Sequence, residues 1–469
     1  MKYVKLFETH EEYEDYVEGG MILPNVSHCV QEDEIHYNPW TWAEEYLTFV
    51  AKESGTFTFT PYKNNVISYS TDDGTTWTEG NTVSVNNGDR VMWKGTMTPS
   101  SNGIGKFGAS GNFDVQGNIM SLLFGDNFKG QTDLTGKDYA FYYLFDYNAK
   151  LVNAENLSLP ATTLANNCYH YMFSKCTSLV TTPELPAITL TNYCYAYMFD
   201  GCTSLTTVPK LPATTLANYC YYNMFYECGS LTIAPELPAI ILVSNCYNGM
   251  FNGCTGLTAA PKLSATTLAN NCCQQMFYRC TSLVTAPELS ATTLASSCYQ
   301  NMFHNCTSLV TAPKLPATTL ANSCYREMFR NCTSLIVAPE LPATTSVSYC
   351  YYSMFQNCTS LTTAPELPAT TLSYNCYYGM FNGCTSLVNA PALPATTLAN
   401  SCYSSMFNGC SSLNYIKAMF TTTPSSSYTN NWVKGVASSG TFVKKSTAQW
   451  DVSGVNGIPT GWTVQTASA

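Results

Sequence analysis

Apolar and polar positions recur along this chain with a fixed period of 26 residues. The repeated pattern is CYxxMFxxCTSL, seen first at Cys168–Leu179, and its first cysteine returns ten times, at positions 168, 194, 220, 246, 272, 298, 324, 350, 376 and 402. Self-similarity at a fixed period of this size is typical of a solenoid, in which each copy forms one coil stacked on the next. The pattern therefore predicts a repeat solenoid over residues 161–420.

Within one copy, the apolar side chains fall on one face of a helix. On a wheel centred on Cys168, the positions from Leu164 to Phe173 cover an arc of about 180°. The residue before the second cysteine is Gly in four copies and Asn in three, and both tolerate the left-handed conformation that ends a helix. Thr162 and Thr163 are placed to supply an N-cap. We therefore expect one helix of about ten residues in every coil.

The segment after the second cysteine predicts a short parallel strand. Leu179-Val-Thr-Thr-Pro183 begins with residues that favour strands and ends with one that cannot donate to a ladder. The next position alternates in sign over seven copies, so that each charge would lie beside its opposite in the stack: Glu184, Lys210, Glu236, Lys262, Glu288, Lys314 and Glu340. The expected fold class is an α/β solenoid, a leucine-rich-repeat-like right-handed superhelix preceded by a small β-sandwich-like domain.

Four segments flank the ten repeats. They are an acidic N-terminal head or attachment segment at 1–45, a small β-domain at 46–115, an N-terminal capping repeat at 116–160 and a C-terminal cap at 421–469. In the capping repeat, Ala140 and Asn148 occupy the places of the two cysteines. Terminal repeats of a solenoid are expected to be atypical because one of their sides has no neighbour.

The two N-terminal segments carry different local patterns. Thr9 and Glu12 form a capping box in the head, which predicts a helix over 11–18. From residue 46 the apolar period becomes two, which is typical of strands. The motif Ser70-x-Asp72-x-Gly74-x-Thr76-Trp77 resembles the Asp-box of sialidases and other β-proteins. That resemblance implies a hairpin with a buried tryptophan and no catalytic role.

Charge is distributed unevenly along the chain. The net charge is −10, residues 1–45 carry −9, and the repeats at 161–420 hold eight acids and eight bases. A nucleic-acid partner is not expected, because binding a phosphate backbone needs clustered Lys and Arg. No apolar run approaches the length of a membrane span, and the first residues lack a secretory h-region, so we expect neither insertion into a membrane nor export.

Twenty of the 22 cysteines occupy the two repeat columns. We expect buried free thiols, with disulfides between neighbouring coils as the alternative, since stacked coils lie at a separation that a disulfide accepts. A metal site is not expected, because His28, Cys29, Glu34 and His36 match no standard ligand spacing. No recurring Ser/His/Asp or Cys/His arrangement and no phosphate-binding glycine loop is present, so neither catalysis nor a cofactor is predicted.

The variable positions of the repeat are where a partner would bind. They lie two, three, six and seven residues after the first cysteine, on the polar side of the wheel. Exposed Tyr and Arg are good anchors for partner binding, and the candidates are Tyr222, Tyr226, Tyr278, Arg326, Arg330, Tyr352 and Tyr378. The alternative is that these positions vary because nothing constrains them.

The repeat resembles the BspA-like leucine-rich repeats, the 26-residue type found in bacterial surface proteins. The resemblance rests on CYxxMFxxCTSL together with LPATTL over about 160–420. It implies a strand, a loop and a short helix in each coil, buried cysteines, and a role in surface adhesion and partner binding without enzymatic activity.

Short segments near both ends carry a second resemblance. Leu23-Pro-Asn-Val-Ser-His-Cys29, His36-Tyr-Asn-Pro39 and Gly457-Ile-Pro-Thr-Gly-Trp462 are similar to the ends of virion-associated proteins in phages of gut bacteria. This similarity implies a virion protein made in the host cytoplasm, whose head docks to the particle. The solenoid would then bind a virion or host-surface protein, with a glycan as a further ligand class. The alternative is a bacterial BspA-like surface adhesin, and the oligomeric state stays open.

Overall fold

The computed structural model describes residues 43–467 and, for their backbone alone, two strands that pair in parallel, β1 (Val4–Phe7) and β2 (Ser27–Val30). The predicted head helix over 11–18 lies outside the described residues. The same holds for Glu34 and His36 and for the side chains of His28 and Cys29.

Two antiparallel sheets with a shared aromatic core follow the head. One sheet has the order β10-β3-β8-β5-β6 and the other β7-β4-β9. Phe49 of the first sheet meets Phe57 and Phe107 of the second, with ring centroids 5.4 and 4.7 Å apart. The strands are β3 (Leu47–Ala51), β4 (Gly55–Pro61), β5 (Ile67–Ser70), β6 (Thr78–Glu79), β7 (Thr82–Val85), β8 (Arg90–Gly95), β9 (Gly105–Ala109) and β10 (Phe113–Asn118).

The Asp-box motif forms the turn between β5 and β6. The Ser70 hydroxyl donates to Asp72, and the backbone amide of Thr76 donates to the same carboxylate. These hydrogen bonds, that of Ser70 foremost, lower the pKa of Asp72 to about 2. The Trp77 indole donates to the Gly74 carbonyl, but the ring is half-buried instead of fully buried, and Lys94 lies over it at 4.2 Å.

The β-domain runs directly into the solenoid. After α1 (Ser121–Phe124) and a 3₁₀ turn (Gly125–Asn127), the chain adds β11 (Leu151–Asn153) and β12 (Leu157–Ser158) in parallel to β10. The amide of Phe107 donates to Leu144, and the Phe107 ring stacks on Phe145 at 5.7 Å. Strand β9 therefore occupies the place that a preceding coil would take.

The helix predicted for each coil is wrong. Of the residues described, only Ser121–Phe124 form a listed α-helical segment, and the CYxxMFxxC stretches are runs of turns. The backbone takes a positive φ one residue before and three and seven residues after the first cysteine, as at Asn167 (57°), Tyr171 (57°) and Lys175 (58°). A left-handed residue at every fourth position is incompatible with an α-helix.

Hydrogen bonding explains why turns replace the helix. Alternate amides donate to the next coil, as Tyr169 does to Cys194 and Tyr171 to Ala196, both at 3.0 Å. The amides between them donate three residues back within the coil, as Met172 does to Tyr169 at 3.2 Å. The stack thus satisfies the polar backbone of a buried segment without any helix. Thr162 and Thr163 are exposed and supply no cap.

The predicted strand of each coil is reduced to isolated parallel bridges, such as Thr285 with Thr311. The prolines that follow cannot donate, and Pro-Glu-Leu-Pro runs extended with Pro183 and Leu185 inward and Glu184 outward. The predicted charge ladder is absent as well: among the described residues, no ion pair within 4.0 Å joins members of the Glu184–Glu340 column. These side chains are exposed, and water screens exposed charges. The hand of the superhelix stays a prediction.

One further coil follows the tenth repeat, inside the segment assigned to the C-terminal cap. Tyr403 donates to Tyr428 and Phe407 to Trp432, which continues the 26-residue spacing beyond Cys402. Asn431 and Gly435 take the positive φ of the repeats. The extended segments of the last coils form a parallel sheet of β13 (Tyr415–Ala418), β14 (Thr441–Lys445) and β15 (Thr463–Ala467).

A single apolar core runs from the β-domain to the last coil. In each of the ten repeats both cysteines, the methionine and the phenylalanine are buried at 0% exposure. The 21 cysteines among the described residues are all buried free thiols. The part of the chain that the structure describes holds no helix with the length and hydrophobicity of a membrane span.

Candidate partner-binding surface

Each four-residue turn directs two side chains inward and two outward. Counted from the first cysteine, positions 0, +1, +4, +5 and +8 point into the core. The outward pairs lie at −2 and −1, at +2 and +3, and at +6 and +7. Stacking ten coils lines these pairs up in parallel rows about 4.8 Å apart along the axis. We call the surface made by these six positions over the ten repeats the turn face.

The turn face is built from a narrow set of residue types. Of its 60 positions, 46 are Asn, Tyr, Ser or Gly. Antibody loops rely on the same types, because tyrosine gives large contact area at low entropic cost and the small polar residues hydrogen-bond adaptably. Asn and Gly also tolerate the left-handed conformation that the turns need. The composition thus serves both the fold and recognition.

All seven sequence-predicted residues lie on the turn face, and all seven are half-buried. The structure divides them into two groups. Tyr222 and Tyr226 lie in the third repeat, where Tyr226 is 6.0 Å from the ammonium group of Lys175. The other five belong to repeats five to nine and are linked by side-chain contacts: Tyr278, Arg326, Arg330, Tyr352 and Tyr378.

Glu327 organises this second group, which we call the arginine–tyrosine cluster. Its carboxylate accepts from Arg330 at 2.9 Å and from Arg326 at 3.3 Å. The Arg326 guanidinium lies 4.8 Å from the ring centre of Tyr352, which stacks on Tyr378 with the planes 5° apart. The cluster is completed by Tyr349, Tyr374, Asn301, His304 and Tyr278.

The charges of the cluster are held by burial and pairing. Burial tends to raise the pKa of Glu327, but hydrogen bonds and charges from Arg330 and Arg326 outweigh it, and that pKa is lowered. Burial lowers the pKa of His304 to about 4, against a smaller opposing effect of Glu327. At neutral pH the cluster therefore holds two guanidinium groups, one carboxylate and a neutral imidazole.

A second aromatic group, the N-terminal tyrosine cluster, covers the first coils. Tyr143, Tyr171 and Tyr197 stack in one row with ring centroids 4.9 and 4.5 Å apart. Tyr193 stacks on Tyr219 at 4.6 Å, and Tyr222 meets Tyr219 edgewise. Sequence reasoning selected only Tyr222 here. A helical wheel does not group position −1 with +2 and +3, whereas a period of four does.

The described residues offer no metal centre. Nowhere between 43 and 467 do three or more His, Cys, Asp or Glu side chains gather in a way that could hold a metal ion. The cysteine columns lie in the core, where burial raises their thiol pKa well above the ordinary value, as for Cys202 and Cys254. A protonated thiol is a poor nucleophile and a poor metal ligand. The turn face therefore offers contact surface and not reactive groups.

The turns and their two cysteine columns match a known family model. The description of that model is "BspA type Leucine rich repeat region", and its matches at residues 138–258, 166–310, 269–380 and 296–434 cover more than half of the chain. The chain belongs to the BspA-type leucine-rich repeat family. Repeats of this family serve as protein-interaction or adhesion modules.

Other comparisons place this BspA-type protein among more distant structures. No curated protein matches its sequence. Among the solved structures that match is "Crystal structure of TLR13-ssRNA13 complex", with 14% identity and a TM-score of 0.28. That alignment covers 64% of this chain and 47% of the other, so the chain spans about half the length of this relative.

Proposed function

We propose that this BspA-type protein is a non-enzymatic adhesion protein that binds a protein partner through its turn face. The observation that carries the proposal is the arginine–tyrosine cluster, in which side chains from five successive coils meet on one outward surface. Tyrosine and arginine dominate the energetics of protein interfaces. Their half-buried side chains are already ordered by neighbours, so that little further entropy is lost on binding.

The backbone supports this proposal by fixing the spacing of the outward pairs. The amides at +3 and +7 donate to the next coil, as Glu327 does to Tyr352 at 2.8 Å and Asn331 to Gln356 at 2.8 Å. Side chains on neighbouring coils are thereby held in register, and a rigid element positions contacts better than a loop does.

Site-specific photo-cross-linking tests which face binds. Benzophenone side chains are placed separately at Tyr378, on the turn face, and at Lys314, on the extended segment. Each full-length protein is exposed to host cells and to particles before illumination. We expect cross-links to protein from position 378 and few from 314. Equal cross-linking from both positions, or cross-linking from 314 alone, would contradict the proposal.

We further propose that the setting is a phage particle, on which the head at 1–45 docks and from which the solenoid projects toward a host-surface or virion partner. The similarity of the terminal segments to gut-phage virion proteins supports this setting. A bacterial surface adhesin of the BspA type is the alternative and is equally compatible with the repeats.

Immunogold labelling separates these two settings. Antibodies raised against the repeats should label purified particles, and deletion of 1–45 should abolish incorporation while the repeats stay folded. Label confined to the bacterial surface, or unchanged incorporation of the deletion variant, would leave the adhesin alternative.

A further inference from the structure

Arginine is confined to one part of the turn face. The repeats at 161–420 contain three arginines, Arg279, Arg326 and Arg330, and all of them lie in the fifth and seventh repeats on outward positions. The other bases of this region are lysines, three of which stand on the extended segments as Lys210, Lys262 and Lys314. In a region with equal numbers of acids and bases, the arginine–tyrosine cluster is thus a local positive surface.

The two central guanidinium groups retain unused donors. Arg326 donates to Glu327 through Nε alone, and Arg330 through one terminal nitrogen, while the Arg330 Nε has no partner. Their side chains are 36% and 33% exposed. One carboxylate therefore balances two cations, and each arginine is positioned by its neighbours with donors left over. Arginine presents such donors in a planar fork that matches a carboxylate.

We propose that the arginine–tyrosine cluster binds the carboxylates of an acidic segment of the partner protein, a proposal that rests on the proposed function. The stacked rings favour a protein over a sugar. Tyr352 and Tyr378 cover each other's faces at 4.8 Å and present edges and hydroxyls, whereas a sugar ring would need an open face. Three arginines are also few for a nucleic acid, whose binding depends on many phosphate contacts.

A labelled peptide tests the proposal without knowledge of the partner. Fluorescein-labelled octaglutamate is titrated with the full-length protein at low salt, and binding is followed by fluorescence anisotropy. The double variant Arg326→Gln/Arg330→Gln should bind about tenfold more weakly or worse, as expected for loss of charge-assisted hydrogen bonds. The matched control Lys262→Gln/Lys314→Gln removes the same charge from the extended segments and should bind like the wild type. Thermal melts verify that each variant is folded.

Two further variants separate recognition from a structural role. Glu327→Gln removes the internal competitor of the incoming carboxylate and should tighten binding several-fold, whereas a merely structural role predicts weaker binding. Arg326→Lys/Arg330→Lys keeps the charge but loses the fork, and should recover only part of the affinity.

Several outcomes would overturn the proposal. They are failure of the wild type to bind, equal losses in the arginine and lysine variants, weaker binding by folded Glu327→Gln, and equal or better competition by polygalacturonate or oligothymidylate at matched charge. If the arginine variant retains octaglutamate binding while position 378 still cross-links to a partner, this proposal is wrong and the proposed function stands. If the arginine effect holds but the turn face yields no cross-link, the proposed function is wrong instead.

Discussion

The Cys202 thiol donates a hydrogen bond to the carbonyl of Phe173 in the preceding coil, at a Sγ···O distance of 3.1 Å. The same carbonyl accepts from the amide of Cys176 in its own coil, also at 3.1 Å. Ten such thiol bonds run along the second cysteine column, from Cys176 to Cys410. A thiol is small and apolar enough for the core, yet it joins adjacent coils as a donor.

Serine substitution should distinguish the two cysteine columns. Cys228→Ser keeps a donor for the Phe199 carbonyl, 3.1 Å from the present sulfur. Cys220 makes no comparable bond within the described chain, so Cys220→Ser buries a hydroxyl without a partner and should cost about 1–3 kcal/mol more. The measurement is the urea midpoint of each variant. Equal losses, or a larger loss for Cys228→Ser, would contradict the role assigned to the second column.

Alkaline pH should destabilise the fold through its thiols. Burial raises the pKa of Cys324, Cys402 and Cys410 from 9.0 to about 12. Above about pH 9 the unfolded chain has lost protons that the native chain retains, so the free energy of unfolding falls by about 1.4 kcal/mol per thiol and pH unit until the folded pKa is reached. Below pH 9 this contribution is fully present.

Urea titrations at about pH 8 and about pH 10 check this dependence. The midpoint should fall at the higher pH, and thiolate absorbance should appear only as the protein unfolds. Buried tyrosines such as Tyr195, whose pKa is also raised by burial, act in the same direction. An unchanged midpoint, or thiolate absorbance from native protein, would show that the columns are accessible.

Phe107→Ala should loosen the solenoid from its N-terminal end. The ring lies between the β-domain core and Phe145 of the first coil, and its removal should cost about 3–5 kcal/mol. Because coils are stabilised by their neighbours, hydrogen exchange should accelerate first over 139–148 and much less in the ninth repeat. Val83→Ala, on β7 of the same domain, is the control and should leave protection of 139–148 unchanged. Uniform loss of protection along the chain would contradict this order.

The sequence was sufficient for the period and for the core. Cys, Tyr, Met and Phe of the motif were predicted to lie inward and do so, because a 26-residue repeat leaves little doubt about which columns are constant. Two outward positions were missed. Tyr193 and Tyr219 stand just before the first cysteine, where a helical wheel gives no reason to join them to the residues that follow it.

The helix was mistaken because the inward positions 0, +1, +4, +5 and +8 fit both a helical period and a period of four over so short a stretch. The signal that separates them is the residue type at −1, +3 and +7, where Asn, Gly and Ser recur. Tyr171 and Glu327 take the same positive φ without such tolerance, so the stack and not local propensity decides the backbone there. The additional coil was missed because Tyr428 and Val436 replace its cysteines.

The binding face exists as described only if each coil is built from four-residue turns, since a helix would not align the three outward pairs. Position +3 separates the two architectures, because the predicted helix has this residue in its interior. Gly379 has a φ of 58°, and Ser405 one of 55°. In a helix, Gly→Ala stabilises by about 1 kcal/mol and Ser→Gly destabilises by about 0.5 kcal/mol.

Urea unfolding of Gly379→Ala and Ser405→Gly is therefore the most direct measurement. With left-handed residues at +3, Gly379→Ala should destabilise the protein by about 1 kcal/mol or more, and Ser405→Gly should leave it unchanged or slightly more stable. The opposite signs, with a gain for Gly379→Ala and a loss for Ser405→Gly, would show that the coils are helical and that the turn face is not formed.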